Sequence, residues 1–141
     1  MDEVDQQLLA RLRGNARAPV AELARALGLS RTTVQSRLAR LERSGVIAGY
    51  AVKLADAHLA AQLHAYILLT VEPKQAAAVT QALKRLPGVR ALQSVSGPYD
   101  MIATAEAGSV REMDALIDEI GAVSGVERTN SSIVLSTKFE R

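Results

Sequence analysis

The segment Pro19–Arg43 constrains the fold most, because its pattern predicts two short helices joined by a tight turn. The first helix is expected over Val20–Leu27, the turn over Gly28–Ser30 and the second helix over Arg31–Arg43. Apolar residues recur three, four and seven positions apart, as on helix faces that pack together: Leu23, Leu27, Val34, Leu38 and Leu41. The segment therefore reads as a helix-turn-helix.

Three small residues suit this turn. Gly28 follows the first helix, where a left-handed backbone is needed that Gly adopts at little cost. Ser30 is expected to cap the second helix by accepting a hydrogen bond from one of its first amides. Ala24 lies where the two helices would cross, and its small side chain lets the backbones approach.

Once the apolar face is buried, the second helix is left with a polar and basic surface. Hydroxyl, amide and guanidinium groups are the groups that contact base edges and phosphates. The candidate DNA-binding residues are Arg31, Thr32, Thr33, Gln35, Ser36, Arg37 and Arg40. The alternative for this segment alone is an amphipathic helical hairpin with a solvated basic face.

Charge is distributed unevenly along the chain. Residues 1–50 hold eight Arg against five acidic residues, whereas residues 51–141 hold nine basic and ten acidic residues. Only the N-terminal part therefore suits a polyanion. Because the basic patch is modest, tight binding is expected to need two copies side by side.

Composition argues against several other classes. The chain has no Cys, so disulfides, thiolate metal sites and thiol nucleophiles are excluded, which fits a reducing cytoplasm. Its two His residues, His58 and His64, are too few for a metal centre and are expected in the linker or on the surface. No run is apolar enough to span a bilayer, and the start of the chain does not resemble a secretory signal. We expect no catalytic residues, metal or cofactor.

Asp2 is expected to cap a further helix that runs to about Arg13, which completes a three-helix N-terminal domain. After the basic helix, Gly45 is expected to begin an extended segment through Val52, either a short wing-like strand or a linker. Residues 53–63 show no clear period and are the expected domain boundary.

The remaining residues predict strand, helix, strand, repeated twice. Strands are expected over Ala65–Val71, Val89–Val95, Met101–Ala105 and Val126–Phe139, the last with Ile133, Leu135, Thr137 and Phe139 on alternate positions. One helix begins at Pro73, with Ala76, Val79, Leu83 and Leu86 inward. The other begins with a capping box of Ser109 and Glu112, and its inner residues are Val110, Met113, Leu116, Ile117 and Ile120.

The two halves of this part echo each other, since residues 86–89 (LPGV) resemble residues 123–126 (VSGV). The fold class is therefore α+β: an N-terminal three-helix helix-turn-helix (winged-helix-like) domain and a C-terminal ferredoxin-like βαββαβ domain. The expected domains are residues 1–50 and 64–141, with a linker over 51–63. The apolar strands leave one sheet face to be covered, which a second copy of the domain would do.

With these elements in place, the chain resembles the Lrp/AsnC, or feast/famine, family of transcriptional regulators over nearly its whole length. The N-terminal marks are Asp5, Leu8-Leu9, Asn15-Ala16-Arg17, Glu22-Leu23-Ala24, Gly28-Leu29-Ser30, Val34, Arg37-Leu38, Arg40-Leu41-Glu42, Gly45-Val46-Ile47 and Gly49-Tyr50. The C-terminal marks are Pro87-Gly88-Val89, Gly97-Pro98-Tyr99-Asp100, Gly125-Val126 and the last strand up to Lys138. Two departures are Pro98, where the family often has an acidic residue, and Ala60, where it usually has Gly.

The resemblance implies a DNA-binding regulator that dimerises, often assembles into octamers and binds a small effector, commonly an amino acid, between subunits. The effector-site residues that it implies are Gly97, Tyr99, Asp100, Thr129, Ser131 and Ser132. Asp100 would accept from an ammonium group, and hydroxyls and amides would bind a carboxylate. Good turn composition is the other explanation of residues 97–100, and Tyr99 suits an interface as well as a ligand wall.

Two other functions fit the same architecture. One is an enzyme similar to tetrapyrrole decarboxylases, although no His follows His64 to line a C-terminal cavity. The other is an effector-sensing oligomer that does not bind DNA, against which the basic helix argues. The regulator is the prediction that the sequence favours.

Overall fold

The computed structural model describes residues 1–55, 58 and 61–141, and the chain divides into two compact units, Met1–Lys53 and Leu54–Arg141. The predicted linker, residues 51–63, includes Asp56, Ala57, Leu59 and Ala60, which lie outside the described residues. The departure from the family at Ala60 lies there as well.

The first unit holds three helices, α1 (Glu3–Gly14), α2 (Val20–Leu27) and α3 (Arg31–Arg43). Asp2 caps α1 through a capping box with Asp5, as the sequence predicts for the start of this helix. The three helices bury one apolar cluster made of Leu8, Leu23, Ala24, Val34 and Leu41. Residues 44–55 form no strand, so the wing-like strand is not formed and this segment is irregular chain. Ile47 still packs against the cluster and donates its amide to the Leu41 carbonyl at 3.0 Å.

The second unit is a four-stranded antiparallel sheet with two helices. Its strands are β1 (Leu63–Val71), β2 (Val89–Ser94), β3 (Met101–Ala107) and β4 (Val126–Ile133), in the spatial order β2-β3-β1-β4. A 3-10 turn at Pro73–Gln75 leads into α4 (Ala76–Lys84), and α5 (Val110–Gly121) follows β3. This order and pairing is the predicted ferredoxin-like arrangement.

The core of this unit lies between the helices and one face of the sheet. Alternate residues of β1 and β3 are buried there with the inner faces of both helices, as a sheet covered on one side requires. The buried set is Ala65, Ile67, Leu69, Val71, Val79, Leu83, Met101, Ala103, Ala105, Met113, Leu116 and Ile120. The repeated turns also match, because Val89 donates to the Leu86 carbonyl and Val126 to the Val123 carbonyl, each at 3.0 Å.

Three predictions about this unit were wrong in detail. The last strand ends at Ile133 rather than Phe139, since its pairing with β1 stops at Ala65–Ile133 and continues only as one bond from the Val134 amide to the His64 carbonyl. Leu135 and Phe139 are accordingly 95% and 78% exposed.

The other two differences concern α5. Val110 is 69% exposed rather than turned inward, since it stands in the first turn ahead of the buried residues. Ser109 accepts from the Glu112 amide as predicted, but the Glu112 carboxylate reaches one residue further back and accepts from the Gly108 amide at 2.9 Å. The capping box is therefore only half formed.

Candidate nucleic-acid interface and effector site

The turn between α2 and α3 is fixed by backbone hydrogen bonds. Gly28 has φ +66°, and its amide and that of Leu29 return to the carbonyls of Arg25 and Ala24 at 3.4 and 2.9 Å. The Ser30 hydroxyl then accepts from the Thr33 amide at 3.1 Å and begins α3. These contacts set the direction in which α3 leaves α2.

One side of α3 is exposed and polar. Its exposed side chains include five of the seven predicted DNA-binding residues, Arg31, Thr32, Gln35, Ser36 and Arg40. The opposite side of the helix is buried at Val34 and Leu41. Thr33 is only partly exposed, and its hydroxyl lies 2.7 Å from that of Ser30, so it belongs to the helix cap.

Two of the predicted residues, Arg37 and Arg40, contact the start of α1. Arg37 Nη1 donates to both carboxylate oxygens of Asp2, each at 2.8 Å, and to Asp5 Oδ1 at 2.9 Å. Arg40 Nη2 donates to Asp5 Oδ2 at 2.7 Å. The side chain of Arg37 is 23% exposed and that of Arg40 is 57% exposed. The basic surface of α3 is therefore divided between solvent and an ion-pair cluster.

The carboxyl groups of this cluster have shifted pKa values. The hydrogen bond from Arg37, followed by that from the Asp5 amide, lowers the pKa of Asp2 from 3.8 to about 2. Burial alone would raise the pKa of Asp5, but hydrogen bonds from Arg37 and the Asp2 amide, with the Arg40 charge, hold it below its ordinary value. The same bonds raise the pKa of Arg37. Both carboxylates are thus charged at neutral pH.

Tyr50 ties the chain that follows α3 back onto that helix. Its hydroxyl donates to Glu42 Oε1 at 2.8 Å, and this hydrogen bond, with some burial, raises the pKa of the phenol. The Tyr50 side chain stays 55% exposed. The contact holds Tyr50 against the last turn of α3.

In the second unit, Asp100 joins the β2–β3 turn to β1. Its Oδ2 accepts from the Val71 amide at 2.9 Å, beside a register shift in the pairing of β1 with β4, and its own amide donates to the Leu69 carbonyl at 2.8 Å. The residue is exposed, as is Gly97 at the tip of the turn. Asp100 therefore has a structural role whether or not it contacts a ligand.

Tyr99 lies against β4. Its hydroxyl accepts from the Asn130 side-chain amide at 3.2 Å, and the Arg128 guanidinium carbon lies 5.6 Å from its ring centroid. Among the predicted β4 residues, Ser132 lies two and four positions after Asn130 and Arg128. Because side chains alternate between the faces of a strand, these three leave the sheet on one face. Thr129 and Ser131 pair with buried β1 residues and leave on the other face.

Comparison with known proteins agrees with this architecture. Residues 1–42 match the AsnC-type helix-turn-helix domain, and residues 64–141 match the Lrp/AsnC ligand binding domain. The chain belongs to the Lrp/AsnC family of transcriptional regulators.

Individual relatives cover almost the whole chain. The HTH-type transcriptional regulator FL11 of Pyrococcus horikoshii is 29% identical, over 99% of this chain and 93% of its own. The structure of Escherichia coli AsnC superposes with a TM-score of 0.88 at 25% identity, covering 100% of this chain and 96% of AsnC. The feast or famine regulatory protein of Mycobacterium tuberculosis, complexed with L-methionine, gives 0.88 at 31% identity, covering 99% and 95%.

For this Lrp/AsnC protein the regulator prediction and the predicted fold class are confirmed. The curated relatives are named as transcriptional regulators, which also confirms that the chain is not an enzyme of the decarboxylase kind. Among residues 1–55, 58 and 61–141, no group of three or more His, Cys, Asp or Glu could hold a metal ion. No helix in the described part of the chain is long and apolar enough to cross a membrane.

Sequence reasoning missed four residues of these Lrp/AsnC surfaces. Arg128 and Asn130 could have been found by stepping back from Ser132 in twos, because strand residues alternate between faces. Asp2 was recognised as a cap, but nothing in the sequence showed that it and Asp5 would contact α3. That contact depends on how the three helices pack.

Proposed function

We propose that this regulator binds duplex DNA through the exposed side of α3, with Arg31, Thr32, Gln35 and Ser36 nearest the groove. The observation that carries the proposal is the orientation of α3: its apolar side is buried and its start is held by the Gly28 turn and the Ser30 cap. A short helix presented in this way by a supporting helix suits the major groove. Arg40 would add a phosphate contact at the rim.

Two copies of the chain would present two such helices. The sheet face opposite the core carries Tyr66, which is 49% exposed, with Leu68 and Ile102 only partly covered beside it. A second copy placed on this face would bury those side chains and give a homodimer, from which octamers could form. A two-fold dimer would then bind half-sites about 10 bp apart, or a multiple of that spacing.

A free amino acid is the effector that we propose, because the mycobacterial relative is complexed with L-methionine. Residues 97–100 and β4 offer suitable chemistry for a zwitterion in this chain. Asp100 Oδ2 already accepts from an amide, but a carboxylate has further acceptor sites for an ammonium group. Arg128, beside Tyr99, is a donor suited to a carboxylate. The proposed site consists of Gly97, Tyr99, Asp100, Arg128, Asn130 and Ser132. Thr129 and Ser131, which the family resemblance also implies, leave β4 on the opposite face of the sheet.

We assign a separate function to each part of the chain. Residues 1–50 would bind DNA, 51–63 would link the domains, and 64–141 would bind effector and self-associate. Since its partner is chromosomal DNA, we place the protein in the cytoplasm.

The test is a titration of the DNA upstream of the protein's own coding sequence, in parallel with a scrambled duplex of equal length. Gln35→Ala and Arg31→Ala should each weaken binding to the upstream duplex, because they remove a base-reading amide and a cation. Arg111→Ala, on the exposed side of α5, is the matched control and should bind as wild type does. Equal affinity of the wild type for both duplexes would count against sequence-specific binding to this segment.

A further inference from the structure

Asp5 is a buried charge inside a small helical domain. Among the residues that the structure describes, it is the one charged side chain that is fully buried, with 0% of it exposed. Its carboxylate accepts from Arg37 Nη1 at 2.9 Å, Arg40 Nη2 at 2.7 Å and the Asp2 amide at 3.1 Å. Burying a carboxylate is unfavourable unless it is paired and hydrogen-bonded in this way.

The cluster is balanced in charge, with Asp2 and Asp5 facing Arg37 and Arg40. It joins the N-terminus of α1 to the middle of α3, which lie more than thirty residues apart in the chain. Removing Arg37 would take from Asp2 the guanidinium that it binds, and removing Asp5 would take from Arg40 its carboxylate. The cluster therefore sets how α3 sits on α1.

The two arginines are held differently. Arg37 makes three short contacts through Nη1 to two carboxylates, and only 23% of its side chain is exposed, so little of it is accessible to a phosphate. Arg40 uses Nη2 toward Asp5 and is 57% exposed. A guanidinium has five N–H donors in a fixed fork, so Arg40 can keep Asp5 and still donate to a phosphate.

We propose that Asp5 is the positioning residue of the recognition helix, with Arg37 as its anchor rather than a DNA contact and Arg40 as both anchor and phosphate contact. This rests on the proposed DNA binding through α3. The sequence pattern places Arg37 and Arg40 on one DNA-binding surface, whereas the proposal gives them different roles.

The salt dependence of DNA binding distinguishes these roles. When a variant loses one phosphate contact, the magnitude of the slope of log affinity against log salt concentration falls by about 0.9. The slopes would be measured on the scrambled duplex for wild type, Arg37→Gln, Arg40→Gln and Asp2→Asn. Arg111→Gln serves as the neutral control. The urea midpoint of each variant would be measured in the same buffer, and binding only where the variant is folded.

We expect Arg40→Gln to reduce the slope by about 0.9, and Arg37→Gln to lower the urea midpoint while leaving the slope unchanged. Asp2→Asn, at an exposed position, keeps the test usable if Arg37→Gln does not fold. Asp2→Asn should also leave the slope unchanged, because Arg37 still donates to Asp5 in this variant. Asp5→Asn should reduce the preference for the upstream over the scrambled duplex, and Glu22→Gln, on an exposed face of α2, should not.

A slope reduced by about 0.9 in Arg37→Gln would overturn the proposal, because it would show a phosphate contact. So would a steeper slope in Asp2→Asn, which would mean that Asp2 withholds Arg37 from DNA. An Asp5→Asn variant with unchanged preference would show that the carboxylate only stabilises the domain. Failure of the wild type to bind either duplex would instead contradict the proposed function.

Discussion

Asp2 and Asp5 each serve two purposes at the first turn of α1. They exchange hydrogen bonds with each other's amides at 2.9 and 3.1 Å, and they also bind the arginines of α3. Helix capping and interhelical pairing therefore depend on the same two ionised groups. Protonation of either one weakens both.

This coupling predicts an acid-dependent loss of stability. Since the pKa of both carboxyls is lower in the folded chain than the ordinary 3.8, their contribution is complete above that value and is lost as the pH falls toward about 2. The free energy of unfolding, measured with urea and far-UV circular dichroism between about pH 5 and pH 2, should fall more steeply for wild type than for Asp2→Asn.

Glu22→Gln is the control for that comparison, because it removes an exposed carboxylate from the first turn of α2. Its pH profile should run parallel to that of the wild type. Parallel profiles for wild type and Asp2→Asn would contradict the prediction.

At the scale of elements, the α2–α3 turn depends on one left-handed residue. An added Cβ at Gly28 would meet no atom within 4 Å, so the cost of Gly28→Ala is conformational and not steric. We expect Gly28→Ala to lower the free energy of unfolding by about 1 kcal/mol. It should also weaken DNA binding, because the orientation of α3 relative to α2 is then less well defined.

Gly14→Ala is matched to it, since Gly14 also has open space at the Cβ position but ends α1 without a positive φ. That substitution should leave stability unchanged or raise it slightly. Equal losses in the two variants, measured by urea unfolding, would remove the special role of the Gly28 conformation.

The elements that could be predicted from the sequence are those whose ends or order follow from neighbouring residues alone. The start of α1, the Gly28 turn and the Ser30 cap follow from capping chemistry, and the strand order follows from two strand-helix-strand repeats. The end of β4 was not predictable, because residues 134–139 keep an alternating sequence pattern although the pairing with β1 ends at Ile133. The helical part of the DNA surface was clear from periodicity, but the pairing of Arg37 with Asp2 required tertiary packing.

At the scale of the whole molecule, the open face of the sheet predicts self-association. Tyr66 lies in the middle of β1 on that face, so Tyr66→Arg should place a charge in the proposed dimer interface and shift the population toward monomer. Light scattering coupled to size-exclusion chromatography would report the change. Val110→Arg alters an exposed apolar residue on α5 and should leave the assembly unchanged; a shift in both variants, or in neither, would contradict the assignment of this face.

Regulation requires that the two domains of each chain be coupled in free energy. Binding of an amino acid at residues 97–100 and β4 should change the affinity for DNA, and DNA should change the affinity for that amino acid by the same factor. Couplings of this kind are typically about 1–3 kcal/mol, which corresponds to about 5–150-fold in affinity.

The most direct measurement is therefore the affinity of the wild-type protein for its upstream duplex and for the scrambled duplex, with and without each common amino acid. We predict tighter binding to the upstream duplex and a change of at least about fivefold with one amino acid or a few related ones. Equal affinity for both duplexes, or an affinity that none of the amino acids alters, would contradict the account of an effector-modulated DNA-binding regulator.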